Sequence, residues 1–225
     1  MNPDAINQAA TIIAENRLNG TKLDYLDEAI RPADLHNAHA VQERHNEILA
    51  ERGLGKLVGY KVGCTTPVMQ EYMNIHEPSF GEVFDSTVHQ NHAELHHADF
   101  VNPGVETEIA VMLAADIPMS GAPYTRESVR DAVGAVMISI ELVDARYRDY
   151  RDLDTPTMAA DNFFNAAVVL GDPVTDWHGF DLVNAEATVN LNDAPLGTGL
   201  GSLIMGHPLE ALSWLANRLA ERDRF

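Results

Sequence analysis

The chain reads as an α+β fold, and three features of its apolar pattern say so. The first 55 or so residues place their apolar side chains at helical spacing. From Lys56 the pattern shortens into brief alternating runs bounded by Gly, Asn, Asp and Pro, and the closing segment returns to helical spacing. At 225 residues and 45% hydrophobic content the chain can bury one sizeable core. With no internal repeat, low-complexity tract or linker, a single domain over 1–225 is expected, helical over 1–55 and mixed over 56–225.

Ile6, Ala9, Ala10 and Ile13 follow Pro3 at helical spacing, which predicts an amphipathic helix ending near Asn19 and Gly20. A second helix is expected from about Pro32 to Arg52, with Leu35, Ala38, Val41, Ile48 and Leu49 on its apolar side and Gly53 and Gly55 as stops. LVGYKVG then reads as a strand, Thr66 and Pro67 cap and open a short helix through Met73, and GEVFDS reads as another strand. His, Asn, Asp and Pro cluster between residues 86 and 103, where mostly loop is expected.

VETEIAVML alternates as a strand, and a helix of about three turns is expected from a Thr125 cap to Met137. ISIELVD reads as a strand on Ile138, Ile140 and Leu142, FNAAVVLG as another, and AEATVNLN as one that turns at Asn192, Asp193 and Pro195. Pro208 opens a last helix with Leu209, Leu212, Leu215, Ala216 and Leu219 on its apolar face.

Fifteen Lys and Arg stand against 34 Asp and Glu, a formal net charge of −19. Such a surface repels phosphate backbones and anionic lipid heads, so nucleic acid and membranes are poor partners. An anionic substrate would need a metal, a lysine or helix N-termini to reverse the local field. One cysteine, Cys64, excludes a disulfide framework and any multi-Cys zinc site. No basic leader or apolar membrane span is seen, and a reducing, cytoplasmic location is expected.

The candidate chemistry begins in GVETEIAVML. Residues two apart in a strand share a face, so Glu106 and Glu108 set two carboxylates side by side, while Val105, Ile109 and Val111 point the other way. That pair suits a solvated face or a bound cation. Glu141 favours the cation, because it too lies in an otherwise apolar strand, where an unpaired charge is costly. Three carboxylates, with other oxygens completing an octahedron, suit Mg²⁺ or Mn²⁺ better than Zn²⁺.

Lys61, between Gly59 and Gly63, is either an edge lysine reaching for solvent or a desolvated acid or base. The pairs His36/His39 and His89/His92 and the neighbours His96/His97 lack a zinc-site context and read as surface or loop histidines. GTGLG at 197–201 lacks the full dinucleotide spacing and reads as a flexible turn before the last helix. Neither a nucleophile elbow nor a partner for Cys64 supports covalent catalysis.

In order, GYKVGCTTPVMQEYMNI, EPSFGEVFDS, PGVETEIAVML, IELVDARY, ADNFFNAAVVLG and MGHPLEALSWLANRLAER resemble the 2-keto-4-pentenoate hydratases and 4-oxalocrotonate decarboxylases of the fumarylacetoacetate hydrolase superfamily. The resemblance runs over nearly all the chain after the first helix. It implies a strand-rich β-roll with peripheral helices, assembled into homo-oligomers, and a Mg²⁺ or Mn²⁺ held at Glu106, Glu108 and Glu141. It makes Lys61 the active-site lysine and brings Asn162 and Ser79 to the substrate. The implied reaction adds water to a small anionic 2-hydroxy-2,4-dienoate from aromatic catabolism, giving a 4-hydroxy-2-oxo acid.

Many hydratases of the group carry Asp where EPSFG has Ser79, and the decarboxylases commonly lack it, so a 2-oxo acid decarboxylase is the alternative. A C–C hydrolase of the superfamily fits less well, because ADNFFNAA replaces that branch's Pro- and Gly-bearing stretch. Relatives usually continue past the last helix, which ends here at Phe225, so the final strands of the roll are expected to be wanting. A non-catalytic, metal-stabilised oligomer subunit is the remaining reading.

Overall fold

Residues 1–222 are described by a computed structural model, and they form mixed helices and sheets. The chain divides into two compact units. One comprises Met1–Gly63, Pro78–Glu106 and Glu141–Val169, and the other comprises Cys64–Glu77, Thr107–Ile140 and the chain from Leu170. No helix among the described residues is long and apolar enough to cross a membrane.

The first unit opens with α1 (Pro3–Asn19), capped by the Asn2 side chain on Ala5 N–H and closed by Gly20 at φ +58°. Its apolar stripe, Ala9, Ala10, Ile13 and Ala14, packs with Val41, Ile48 and Leu49 of α2 (Leu35–Leu49), and Leu26, Phe84 and Ala160 complete this core. Full burial of each Ile, Leu or Val stabilises by about 1.5–3 kcal/mol. Asp34 caps α2 through Asn37 N–H, so the helix starts after the predicted Pro32. Beyond Leu49 it continues as a π turn, Ala50–Leu54, which Gly53 ends at φ +96°.

One face of α2 is polar and buried: His39, Gln42, His45 and Asn46. Gln42 donates to the Phe80 and Ala159 carbonyls at 3.1 and 2.9 Å, and the His39 ring stacks on Phe80 with centroids 4.5 Å apart. Predicted as a surface residue, His39 is in fact a core histidine whose Nδ1 lies 3.1 Å from Gln42 Oε1. Its neighbour His36 is exposed.

Strands β1 (Leu57–Gly63) and β2 (Ser79–Phe84) pair antiparallel, with Lys61 opposite Gly81 and Gly63 opposite Ser79. A second sheet has four strands in the order β3 (Val88–Gln90), β6 (Asn165–Leu170), β5 (Val133–Asp144) and β4 (Pro103–Leu113). The short β3 lies in the stretch expected to be loop. Ahead of β6 comes the short helix α5 (Thr155–Ala160), capped by Asp154.

In the second unit the predicted cap and short helix appear as Thr66 and α3 (Pro67–Met73). The predicted three-turn helix after Tyr124 is corrected. Thr125 and Ser128 form a capping box, but α4 spans only Arg126–Arg130, and Val133–Met137 belong to β5. Val133, Ala135, Val136 and Met137 are buried in that strand, and Val136 exchanges backbone hydrogen bonds with Val174. Tertiary pairing outweighs the weak helical spacing of this Ala- and Val-rich run.

The hairpin of β7 (Glu186–Leu191) and β8 (Ala194–Leu200) turns at Asn192 and Asp193 as expected. Most of GTGLG is therefore strand rather than flexible turn, because Gly197 and Gly199 pair with Val189 and Ala187. Helix α6 (Pro208–Ala220) buries Leu209, Leu215, Ala216 and Leu219, and Asn217 donates to the Tyr124 carbonyl. The continuation to Phe225 lies outside the described residues.

Candidate metal centre

Strand β5 presents its polar side chains inward. Ser139 and Glu141 are 2% and 0% exposed, whereas Ile138 and Ile140 are 55% and 43% exposed. Alternating isoleucines thus identified the strand, but they lie on its more exposed face. The apolar face of β4 is not core throughout either, since Val105 is 64% exposed.

Glu141 is the fully buried member of a group with Glu106 and Glu108, in which one carboxylate oxygen from each lies within 4.8 Å of the others. The strand geometry expected from E-x-E is therefore present. Burial is graded across the three: Glu106 is exposed, Glu108 half-buried and Glu141 enclosed.

Lys61 is buried rather than reaching to solvent, and its Nζ lies 3.0 Å from Glu141 Oε2. It also lies 5.6 Å from the centroid of the Phe163 ring. Glycine makes this placement possible. A Cβ at Gly63 would stand 3.2 Å from Lys61 Nζ and 3.5 Å from Phe163 Cδ1, so the bare backbone leaves room for the lysine's own head. Ser79, opposite Gly63 and on the same face as Lys61, is 4% exposed.

Asn162 is also buried, but its amide is committed to the protein. Its Oδ1 accepts from Glu82 N–H at 3.0 Å and from Asn46 Nδ2 at 3.3 Å, and its Nδ2 donates to Asn46 Oδ1. Asn162, Phe163 and Phe164 all have positive φ, at 50°, 50° and 66°. Such left-handed backbone costs about 1–2 kcal/mol per residue. Gly81 is fitted to this turn, since a Cβ there would meet the Asn162 carbonyl oxygen at 2.4 Å. The turn sets Phe163 beside Lys61 and delivers Asn165 to the head of β6.

Two residues of the site escaped sequence reasoning. Asn165 donates through Nδ2 to Glu141 Oε1 at 2.8 Å, and Glu82, 1% exposed, accepts from Asn46 at 2.9 Å. The usable signal was the one that revealed Glu141: a polar residue inside an apolar strand, as in FNAAVVLG and GEVF.

The donor set fits a hard divalent cation. Mg²⁺ bonds of about 2.1 Å need neighbouring oxygens roughly 3 Å apart, and the three carboxylates already bring one oxygen each within 4.8 Å of the others. Three carboxylates against one lysine also leave negative charge for a cation to neutralise.

No family model matches the chain. A 2-hydroxyhexa-2,4-dienoate hydratase of Comamonas testosteroni is 37% identical over 173 residues, 76% of this chain and 64% of that protein, so the chain spans just under two thirds of its length. A 2-keto-4-pentenoate hydratase of Paraburkholderia phymatum is 34% identical over 199 residues, covering 86% of this chain and 72% of the relative. Among solved structures, 4-oxalocrotonate decarboxylase from Pseudomonas putida G7, complexed with magnesium and adipate, superposes with a TM-score of 0.87. It is 24% identical, and the match covers 99% of this chain and 83% of the decarboxylase.

Proposed function

From the premise that the chain belongs to the 2-keto-4-pentenoate hydratase and 4-oxalocrotonate decarboxylase group of the fumarylacetoacetate hydrolase superfamily, we propose that it is a metal-dependent hydro-lyase adding water to a 2-hydroxy-2,4-dienoate. The observation that carries this reading is the enclosed Glu141, grouped with Glu106 and Glu108 and paired with the buried Lys61. The relatives' names supply the substrate class, a small anionic oxo or dienoic acid. The same reading extends to a strand-rich roll and a homo-oligomeric, cytoplasmic enzyme.

Glu106, Glu108 and Glu141 would hold Mg²⁺ or Mn²⁺, which when bound supplies Lewis acidity to the substrate's C2 oxygen and offsets its carboxylate charge. The chain's own groups do the rest. Net hydration moves the enol proton off O2 and brings a proton to C5, which leaves the C3–C4 double bond conjugated to the C2 carbonyl. Water then adds its oxygen at C4 and a proton at C3. Lys61 Nζ, within a buried wall, offers positive charge to O2 as negative charge develops there and holds a proton for transfer. Ser79 lines the lysine's face as a hydrogen-bonding group. Asn162 acts one step back: its bonds to Glu82 and Asn46 hold the turn that carries Phe163.

Turnover decides the matter. Loss of dienol ultraviolet absorbance with Mg²⁺ or Mn²⁺, abolished by EDTA and yielding a 4-hydroxy-2-oxo acid, is the expected result, and inactivity on short dienoates under both metals would overturn it. The competing reading, a 4-oxalocrotonate-type decarboxylase, is favoured by Ser79 standing where many hydratases have Asp. Release of CO₂ from a 2-oxo diacid would select it.

A further inference from the structure

The two oxygens of Glu141 are treated differently. Oε1 accepts a 2.8 Å hydrogen bond from Asn165 Nδ2. Oε2 lies 3.0 Å from Lys61 Nζ as a charge pair and has no aligned hydrogen bond. Glu141 and Asn165 are both 0% exposed, so water does not compete for either group. An ionised carboxylate only accepts, which requires Asn165 to turn its NH₂ end toward Glu141. Asn165 stands at the first position of β6, the strand next to β5, directly after the strained turn Asn162–Phe164.

Resting on the metal site proposed above, we infer that Asn165 is a positioning residue for that site. Its amide holds Oε1 of Glu141 and so presents Oε2 as the atom that joins Glu106 and Glu108. A long side chain such as Glu has three torsions, and an enclosed Glu141 without this bond would satisfy Oε1 by rotating toward other donors, Lys61 first. Partners of this kind that orient a ligand typically change metal affinity about 10–100-fold when removed.

The test uses the full chain with Mn²⁺ as probe. Affinity is measured by titration calorimetry and the bound ion's environment by electron paramagnetic resonance, for the unaltered protein, Asn165→Ala, Asn165→Leu and Asn165→Ser. Two donorless variants of different volume keep the test open if one fails to fold, as judged by circular dichroism. The expected result is Mn²⁺ affinity weakened about 10–100-fold in the donorless variants, with an altered resonance spectrum and partial recovery in Asn165→Ser, whose hydroxyl still donates. A folded Asn165→Ala or Asn165→Leu that binds Mn²⁺ with unchanged affinity and spectrum overturns the inference. Failure of the unaltered protein itself to bind Mn²⁺ overturns instead the metal reading on which it rests.

Discussion

Two clusters of charged side chains are built to opposite rules. Around Arg146 the charges balance: its guanidinium reaches Asp161 at 2.6 Å and Asp144 at 3.6 Å, with Arg17 as a second cation. Asp144 also accepts the Val101 and Asn102 N–H groups at 3.0 and 2.7 Å. Burial, with Arg146 adding, pulls Arg17 down to about 10, and burial pushes Asp161 up against the pull of both arginines. Around Lys61 three carboxylates meet one ammonium, and their burial runs from enclosed to exposed. A matched, closed cluster serves the scaffold. The unmatched, open-ended one has capacity left for a ligand.

If that contrast is right, removing a charge from each cluster has different consequences. The largest effect expected is on turnover: Glu106→Gln should lower metal-dependent activity by more than about a hundredfold, exceeding what partners behind a ligand contribute. Its melting temperature without metal should hardly move, because the side chain is exposed. Steady-state kinetics and thermal melts check both halves, and full activity would remove Glu106 from the site.

Arg146→Met should do the reverse, costing about 3–5 kcal/mol by leaving Asp161 buried without its partner, while the folded fraction keeps its Mn²⁺ affinity. Denaturant titration beside calorimetry reads this, and a loss of metal binding at unchanged stability would erase the distinction. Glu141→Gln should combine the two, losing metal and also stability, because it removes the negative charge 3.0 Å from the buried Lys61 ammonium. Melts that match the unaltered protein would show that the Glu141 charge adds nothing to stability.

The smallest effect concerns pH. His45 is fully buried, and burial, then Arg17 and Arg146, hold its pKa well below 6.5. The unfolded chain therefore takes up a proton below about pH 6.5 that the folded protein refuses, so stability is complete above that pH and falls as pH drops, by at most about 1.4 kcal/mol per unit. Urea titrations at pH 7.5, 6.5 and 5.5 should show this slope. His45→Gln should reduce it, and an unchanged slope would assign it to other groups.

Much of this protein was legible before any coordinate, wherever a local rule acts alone. Thr66 and Pro67 announced α3, Asn192 and Asp193 announced the hairpin, and the spacing of Glu106 and Glu108 announced two carboxylates on one face. Cost arguments found Lys61 and Glu141 for the same reason, since a charge in an apolar strand needs a partner wherever the strand lies. The same argument applied to Asn165 and Glu82 would have found them too.

What local pattern could not decide was direction and partnership. Ile138 and Ile140 mark β5 as a strand, yet which face turns inward depends on what packs there, and here the carboxylate face does. DAVGAVM carries helical and extended tendencies of similar strength, and pairing with neighbouring strands resolves it. Asn162 illustrates the limit most plainly: its place in the motif resemblance implied substrate contact, and only the fold bonds it to Glu82 and Asn46. Sequence thus determined the residue types, their periodicity and the pairing of Glu106 with Glu108 on one strand face. Tertiary structure alone decided that Glu141 comes to that pair with one oxygen on Asn165 and the other beside Lys61, because those contacts join strands distant in sequence.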